Sequence, residues 1–173
     1  MIIQSFLSIC DLTMPKGKKR GKRIIGRLEK VDLPDLQLFQ IDAKIDTGAF
    51  TSSLHVHDIE ESIKNEVPTV IFQLVHPTHP SYNNKKFELP IVARKSIRSS
   101  SGEEQLRFFI NMPVRLFGKI FLTEFNLSDR SNMVYPVLLG RKLLSNDFLV
   151  DVTRSNLSLK KKLKRQALKK KKK

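Results

Sequence analysis

The chain has 173 residues, of which 40% are hydrophobic, and a formal net charge of +15. This length allows one domain with a sizeable core plus appendages, and the single cysteine, Cys10, excludes an internal disulfide framework. No apolar stretch reaches the length that a membrane-spanning helix needs, so no membrane span is predicted and the cytoplasm is the default location.

The positive charge is concentrated at the two ends of the chain. Residues 14–27 contain seven Lys or Arg and no acid, and residues 160–173 contain ten more. Residues 28–159 hold 15 basic and 16 acidic residues and are therefore close to neutral. The sequence predicts a basic, disordered N-terminal extension over 1–23, one folded domain over 24–157 and a Lys-rich disordered tail over 158–173. Such tails favour contact with RNA, the ribosome, an acidic protein or anionic lipid through counterion release; the alternative is a solvated end without a partner.

The first residues do not form a secretory signal of the usual kind. The apolar segment 2–10 is short, and no Lys or Arg precedes it. Met14 is therefore an alternative to Met1 as the translation start.

Short apolar runs separated by turns dominate the body of the chain. Phe117-Gly118 is typical of a hairpin turn, Pro90 interrupts one run, and residues 141–145 can form one short helical turn. The predicted strands are, in chain order, 36–45, 53–57, 69–75, 87–97, 107–116, 119–127, 134–139 and 148–151. This pattern favours an all-β barrel or sandwich with one short helix near the C-terminal end.

Asp46-Thr47-Gly48-Ala49, at the end of a predicted strand, is the main functional motif. It places a carboxylate on a tight turn, although Asp and Gly are ordinary turn residues and the motif alone is a weak signal. Val137-Leu138-Leu139-Gly140-Arg141 supplies a second signal, because a glycine after bulky apolar residues lets another backbone pass close behind that turn. The pair in this order indicates the core of an aspartic peptidase.

Six stretches of the chain together resemble a known family. Residues 46–49 and 138–144 resemble the retropepsins, and the fuller resemblance is to the bacterial and archaeal group called ATP-dependent zinc proteases, often linked to ribosomal-protein glutamate ligases. The stretches that carry it are 43–49, 51–55, 98–102, 126–130, 138–141 and 148–151. The similarity extends from about residue 25 to residue 157 and leaves out both tails.

The resemblance implies a closed, retropepsin-like (pepsin-type) barrel and an aspartic endopeptidase with Asp46, Thr47 and Gly48 as catalytic residues. Gly140 and Arg141 would support the site, Arg141 through an ion pair whose predicted partner is Asp151 or Asp129. Since the chain has one Asp-Thr-Gly, a homodimer is the simplest source of the second carboxylate. No cofactor is predicted.

The substrate side is predicted to include a flap at 98–102. The candidate contacts are Ala49, Phe50, His55, Arg98, Ser99 and Ser100. Phe50 stands where the retropepsins place an acid and this family a basic residue, so it supplies no charge for an acidic substrate. Arg98, Arg130 or the tails would have to compensate if the substrate is an acidic or glutamylated tail.

Two alternatives remain open from the sequence. The first is a metal-dependent peptidase, because all four histidines fall in one window: His55, His57, His76 and His79. No phosphate-binding loop accompanies them. The second is a non-catalytic binding module that uses the barrel as a scaffold and the basic tails to hold RNA or ribosomes.

Overall fold

The computed structural model of the protein describes residues 21–74, 84–98, 104–129 and 134–171. Ten strands and two α-helices are formed, with a 3-10 turn at Pro34–Leu36. The strands are β1 (Arg23–Leu33), β2 (Leu38–Ile45), β3 (Ser52–Lys64), β4 (Val67–Leu74), β5 (Lys86–Pro90), β6 (Ala93–Arg98), β7 (Glu104–Leu116), β8 (Lys119–Ser128), β9 (Val137–Leu139) and β10 (Phe148–Ser155). The helices are α1 (Arg141–Asp147) and α2 (Leu157–Lys170).

Six of the strands close into a barrel. Their order is β1-β2-β9-β3-β8-β7, and the pairing of Asp32 on β1 with Arg115 on β7 closes the ring. The second half of β3 pairs with β4, and β4 pairs with β5, while β6 lies at the edge of β7 and β10 runs parallel to β1. This confirms the predicted all-β, retropepsin-like closed barrel.

The turns follow from residues that accept a positive φ. Phe117 and Gly118 have φ of 53° and 77° and connect β7 to β8, which confirms the predicted hairpin. Asn65 and Glu66, with φ of 49° and 65°, connect β3 to β4 in the same way. Two consecutive positive φ values are the signature of the hairpin turn whose twist matches the flanking strands.

The barrel interior is filled by large apolar side chains. Fully buried members include Phe72, Leu54, Ile110, Phe125 and Leu127. They come from the barrel strands β3, β7 and β8 and from β4, which pairs with β3, so distant parts of the sequence share one core.

The two ends of the folded region differ from the prediction. Strand β1 begins at Arg23, inside the segment that was assigned to the extension; residues 1–20 lie outside the described part of the chain. The predicted short helix is present as α1, and residues 157–170 form an additional 14-residue helix, α2, where a disordered tail was expected. The reason is a cap from Glu29 on β1, which is described below. None of the helices in the described ranges is long and apolar enough to cross a membrane.

Candidate active site

The turn after β2 holds the Asp46 carboxylate in a fixed orientation. Oδ1 of Asp46 accepts hydrogen bonds from the backbone N–H groups of Gly48 at 3.0 Å and Ala49 at 3.2 Å. The Asp46 N–H donates to the carbonyl oxygen of Leu139 on β9 at 3.0 Å. Asp46 is half-buried, and Thr47 and Gly48 are exposed. One carboxylate oxygen is therefore engaged by the backbone, and the group lies at the protein surface.

Gly140 packs directly against the backbone of the loop that follows Asp46. A Cβ at position 140 would lie 2.7 Å from the carbonyl carbon and oxygen of Thr51 and 2.9 Å from the carbonyl oxygen of Phe50. The Gly140 N–H also donates to the Ser52 hydroxyl at 3.1 Å. Only a residue without a side chain fits this approach, as the sequence predicted from the two apolar residues before Gly140.

Helix α1 is joined to the same loop through its first turn. The Arg141 and Lys142 N–H groups donate to the carbonyl oxygens of Ala49 and Phe50, each at 2.9 Å. These are donors that the start of a helix leaves without an intrahelical partner. The loop therefore completes the helix, and the helix fixes the loop.

The Arg141 side chain also holds this loop, though not through the expected ion pair. Its Nη1 donates to the carbonyl oxygens of Thr47 and Gly48, both at 2.8 Å. Asp151, which was a predicted partner, instead forms an ion pair with Arg154 at 2.9 Å. Backbone carbonyls on a tight turn point outward and can accept from an arginine without a carboxylate nearby.

The hydrogen bonds of Asp151 go to a residue two positions further along β10. Its Oδ1 accepts from the Thr153 hydroxyl at 2.6 Å and from the Thr153 N–H at 3.0 Å. These two bonds, the hydroxyl first and the backbone second, lower the pKa of the Asp151 carboxyl, and the Arg154 charge adds to the effect.

A buried polar cluster that the sequence did not predict lies under the loop. Oδ1 of Asn126 accepts from the Ser53 hydroxyl at 3.1 Å and from Arg107 Nη1 at 3.0 Å. Nδ2 of Asn126 donates to the carbonyl oxygen of Ser52 at 2.9 Å. Asn126 was within a stretch that carried the family resemblance, which was the only signal available; Arg107 had none. Through Ser52, the cluster connects β8 to Gly140.

The predicted substrate contacts occupy different surroundings. Phe50 is 63% exposed beside the Asp46 turn, whereas His55 is only 2% exposed and thus fits an interior position rather than a substrate contact. Arg98, at the end of β6, forms an ion pair with Glu104 of β7 at 2.8 Å, and the two residues are paired in the β6–β7 ladder. Ser99, Ser100 and Arg130 lie outside the described residues.

The histidines that suggested a metal site are not assembled into one within the described ranges. His55 and His57 lie on β3, and His57 Nε2 is 3.1 Å from Asp58 Oδ1. His76 and His79 fall outside the described residues. Among those described, no group of three or more His, Cys, Asp or Glu side chains is arranged to hold a metal ion.

Comparison with known proteins identifies relatives of this chain. The chain is 38% identical over 139 residues to a protein of Shewanella pealeana named "Probable alpha-L-glutamate ligase", and 33% identical over 132 residues to one of the same name from Desulfotalea psychrophila. These alignments cover 78% and 76% of this chain but only 30% and 28% of the relatives, so the chain spans about a third of their length.

A solved structure and a family model also match this chain. A Legionella pneumophila protein of unknown function (DUF785) superimposes with a TM-score of 0.67 at 29% identity, covering 80% of this chain and 99% of that one. Residues 24–161 match the family model described as "Retropepsin-like aspartic endopeptidase RimB". The chain therefore belongs to the RimB-like family of retropepsin-like proteins.

Proposed function

We propose that this protein is an aspartic-type endopeptidase in which Asp46 activates water for peptide-bond hydrolysis. The observation that carries the proposal is the fixed, half-exposed Asp46 carboxylate, whose Oδ1 is held by two backbone N–H groups. In the described part of the chain, its hydrogen bonds go to the backbone alone. Oδ2 is thus left to bind a water molecule or a second carboxylate.

The reaction needs two carboxylates that share one proton. Two such groups at one site cannot both ionise cheaply, so one stays protonated and polarises the substrate carbonyl while the other accepts a proton from the attacking water. We infer that Asp46 of a second protomer supplies the partner group. The exposed Phe50 beside the turn supports this arrangement, because a two-fold axis at Asp46 would bring both Phe50 side chains into the interface or the substrate cleft.

An acidic or glutamylated protein tail is the proposed substrate class. The support comes from the relatives, whose printed name denotes the joining of glutamate, and a hydrolase domain beside such an activity would act on the linkage formed. Phe50 brings no positive charge to the Asp46 turn, so recognition of carboxylates would depend on nearby cations. Exposed Arg141, which contacts the Asp46 turn, and Lys142 beside it at the start of α1 are candidates.

A non-catalytic binding module is the second candidate. It is favoured by the coverage of the ligase-named relatives, in which a region like this chain forms only about a third of a longer protein. Such a region can serve a larger enzyme by holding its substrate. This candidate tolerates loss of the Asp46 charge, whereas the peptidase does not.

The test compares wild type with Asp46→Asn on two substrates, a glutamate-tailed peptide and a generic unfolded protein. Asparagine keeps an oxygen that can accept from Gly48 and Ala49, so the turn and the melting temperature should be preserved. Asp147→Asn, at an exposed position in α1, is the matched control. We expect cleavage to be lost in Asp46→Asn alone and to be insensitive to a chelator.

Other outcomes would point elsewhere. Loss of cleavage on chelation would move the chemistry to a metal, and equal activity of Asp46→Asn would contradict the aspartic mechanism. If wild type binds but does not cleave the glutamate-tailed peptide, and Asp46→Asn binds equally well, the binding module is favoured. Sedimentation of wild type across concentrations tests the dimer separately.

A further inference from the structure

A basic cleft lies between α2 and the barrel. Its volume is about 570 Å³, and it is bounded by α2 on one side and by β1, β2 and the β7–β8 turn on the other. Six basic side chains line it: Lys30, Arg115, Lys161, Lys162, Arg165 and Lys169. Among the lining residues, Asp32 is the only acid. The cleft therefore carries a large surplus of positive charge.

Helix α2 is anchored, so the cleft has a defined wall. The Glu29 side chain is fully buried, and its carboxylate accepts from the N–H groups of Leu157 at 3.1 Å, Ser158 at 2.9 Å and Gly26 at 3.0 Å. A carboxylate at this position satisfies the free donors of the helix start and complements its dipole. The Ser158 hydroxyl in turn accepts from the Phe117 N–H at 2.8 Å.

The face of α2 that looks into the cleft carries four cations beside two leucines, Leu159 and Leu168. Four basic residues share one side of the helix, because three of them follow the first by one, four and eight positions. They are Lys161, Lys162, Arg165 and Lys169. A helix that packs against a domain normally turns an apolar stripe inward. Here the inward side carries four charges, which indicates that something other than the barrel completes the packing.

The charges in the cleft are only partly neutralised within the protein, because Lys30 is paired with Asp42 at 2.7 Å whereas Arg115 and Lys162 share Asp32. Asp32 Oδ2 lies 3.9 Å from Arg115 Nη1 and 3.8 Å from Lys162 Nζ, so one carboxylate serves two cations at long range. Repulsion from Arg23 lowers the pKa of the Lys161 ammonium, and burial and Arg165 add to the effect. An anion in the cleft would relieve this repulsion.

We propose that this cleft binds the phosphodiester backbone of single-stranded RNA, at a site separate from Asp46. Gln40 lines the cleft and lies on β2, whereas Asp46 directly follows that strand. The two residues are six positions apart, which corresponds to roughly 20 Å along an extended strand. The site therefore goes beyond the proposed peptidase activity and does not depend on it.

Three features favour RNA as the occupant. The repeated negative charge of the RNA phosphates matches the repeated cations of the cleft. The positive surface also continues on the outer side of α2, as an extended polyanion requires, at Lys160, Lys164 and Lys170. Leu159 and Leu168 also line the cleft and offer apolar contact to riboses and bases, which a poly-glutamate strand lacks. Phe117, the aromatic residue that lines the cleft, is only 8% exposed, so it offers little surface for base stacking. Binding should therefore depend on the backbone charge and tolerate any RNA sequence.

The experiment measures fluorescence anisotropy of a labelled oligouridylate of about twelve nucleotides, titrated with the full-length protein at several salt concentrations. The cleft variant is Lys161→Gln/Lys162→Gln/Arg165→Gln, and the matched control, Lys160→Gln/Lys164→Gln/Lys170→Gln, removes three charges from the outer side of the same helix. We expect the cleft variant to bind at least about tenfold more weakly, with a salt slope smaller by about two, and the control to change by less than about threefold.

A second variant distinguishes loss of the binding site from misfolding of α2. Arg115→Gln changes the barrel wall, leaves α2 intact and should also weaken binding, whereas a free basic tail would not sense it. Circular dichroism should show unchanged helix content in each variant. Equal losses in the cleft and outer variants, no effect of Arg115→Gln, or no binding by wild type at low salt would each overturn the proposal. So would displacement of the RNA by oligoglutamate of equal charge at the same or lower concentration.

Discussion

Replacing Gly140 with alanine tests whether the close approach behind the Asp46 turn is essential. The added Cβ would lie 2.7 Å from the Thr51 carbonyl group and 2.9 Å from the Phe50 carbonyl oxygen, where ordinary contacts are 3.4–4 Å. Both neighbours are backbone atoms, so no side chain can rotate away. The loop or the start of α1 must move by roughly 0.5–1 Å.

The size of the effect follows from this overlap. Forcing one extra methyl group into a packed site typically costs about 1–3 kcal/mol. For a domain of this size, each kcal/mol lowers the melting temperature by about 3–4 °C, which gives a fall of about 3–12 °C. Since the loop carries Asp46, a displacement approaching 1 Å should reduce peptidase activity by about a hundredfold.

Thermal unfolding and peptide cleavage measured in parallel check both numbers. Gly21→Ala is the matched control, because a Cβ there meets nothing within 4 Å. We expect Gly21→Ala to match wild type in both assays. If Gly140→Ala keeps the wild-type melting temperature and activity, the close packing does not position the catalytic turn and the argument fails.

Three further changes test other contacts. Glu29→Gln removes the charge that caps α2 and should reduce the free energy of unfolding by about 2–3 kcal/mol, measured by urea denaturation, with loss of helix signal. Arg141→Ala removes two hydrogen bonds to the Asp46 loop and should lower kcat by more than about tenfold. Asp147→Asn, at an exposed position of the same helix, should leave kcat unchanged. The pKa of Asp151 is lower in the folded protein than its unfolded value of 3.8, so the ionised carboxylate stabilises the fold above pH 3.8. This stabilisation is lost as the pH falls through the folded pKa. The difference in melting temperature between wild type and Asp151→Asn should therefore shrink only below pH 3.8.

The parts of the site that sequence could predict are those set by local geometry. Asp46 forms a turn because its carboxylate accepts hydrogen bonds from the N–H groups of Gly48 and Ala49, two and three residues further on. Phe117 and Gly118 form a hairpin for the same reason, since a tight turn is a property of a few consecutive residues. Gly140 could be predicted to allow a close approach, although its partner, the Thr51 backbone, could not be identified.

The parts that were missed depend on contacts between distant positions. Glu29 and Ser158 are 129 residues apart, and nothing near either one indicates that a buried carboxylate will cap a helix. The basic composition of residues 158–170 led to the prediction of a disordered tail, which left out the cap that Glu29 of the barrel supplies to α2. Asn126 and Arg107 were missed for the same reason, because their role exists only after β7 and β8 pair.

The two proposed sites are built on neighbouring strands but are held by separate contacts. Asp46 is fixed by β9 and the start of α1, through Leu139, Gly140 and Arg141. Helix α2 is fixed by β1, through Glu29. Removing charges from the cleft side of α2 should therefore weaken RNA binding by at least about tenfold while leaving cleavage of a generic unfolded protein intact. A variant that lost both together would mean that α2 also supports the Asp46 turn, because the barrel transmits its position from β1 to β2.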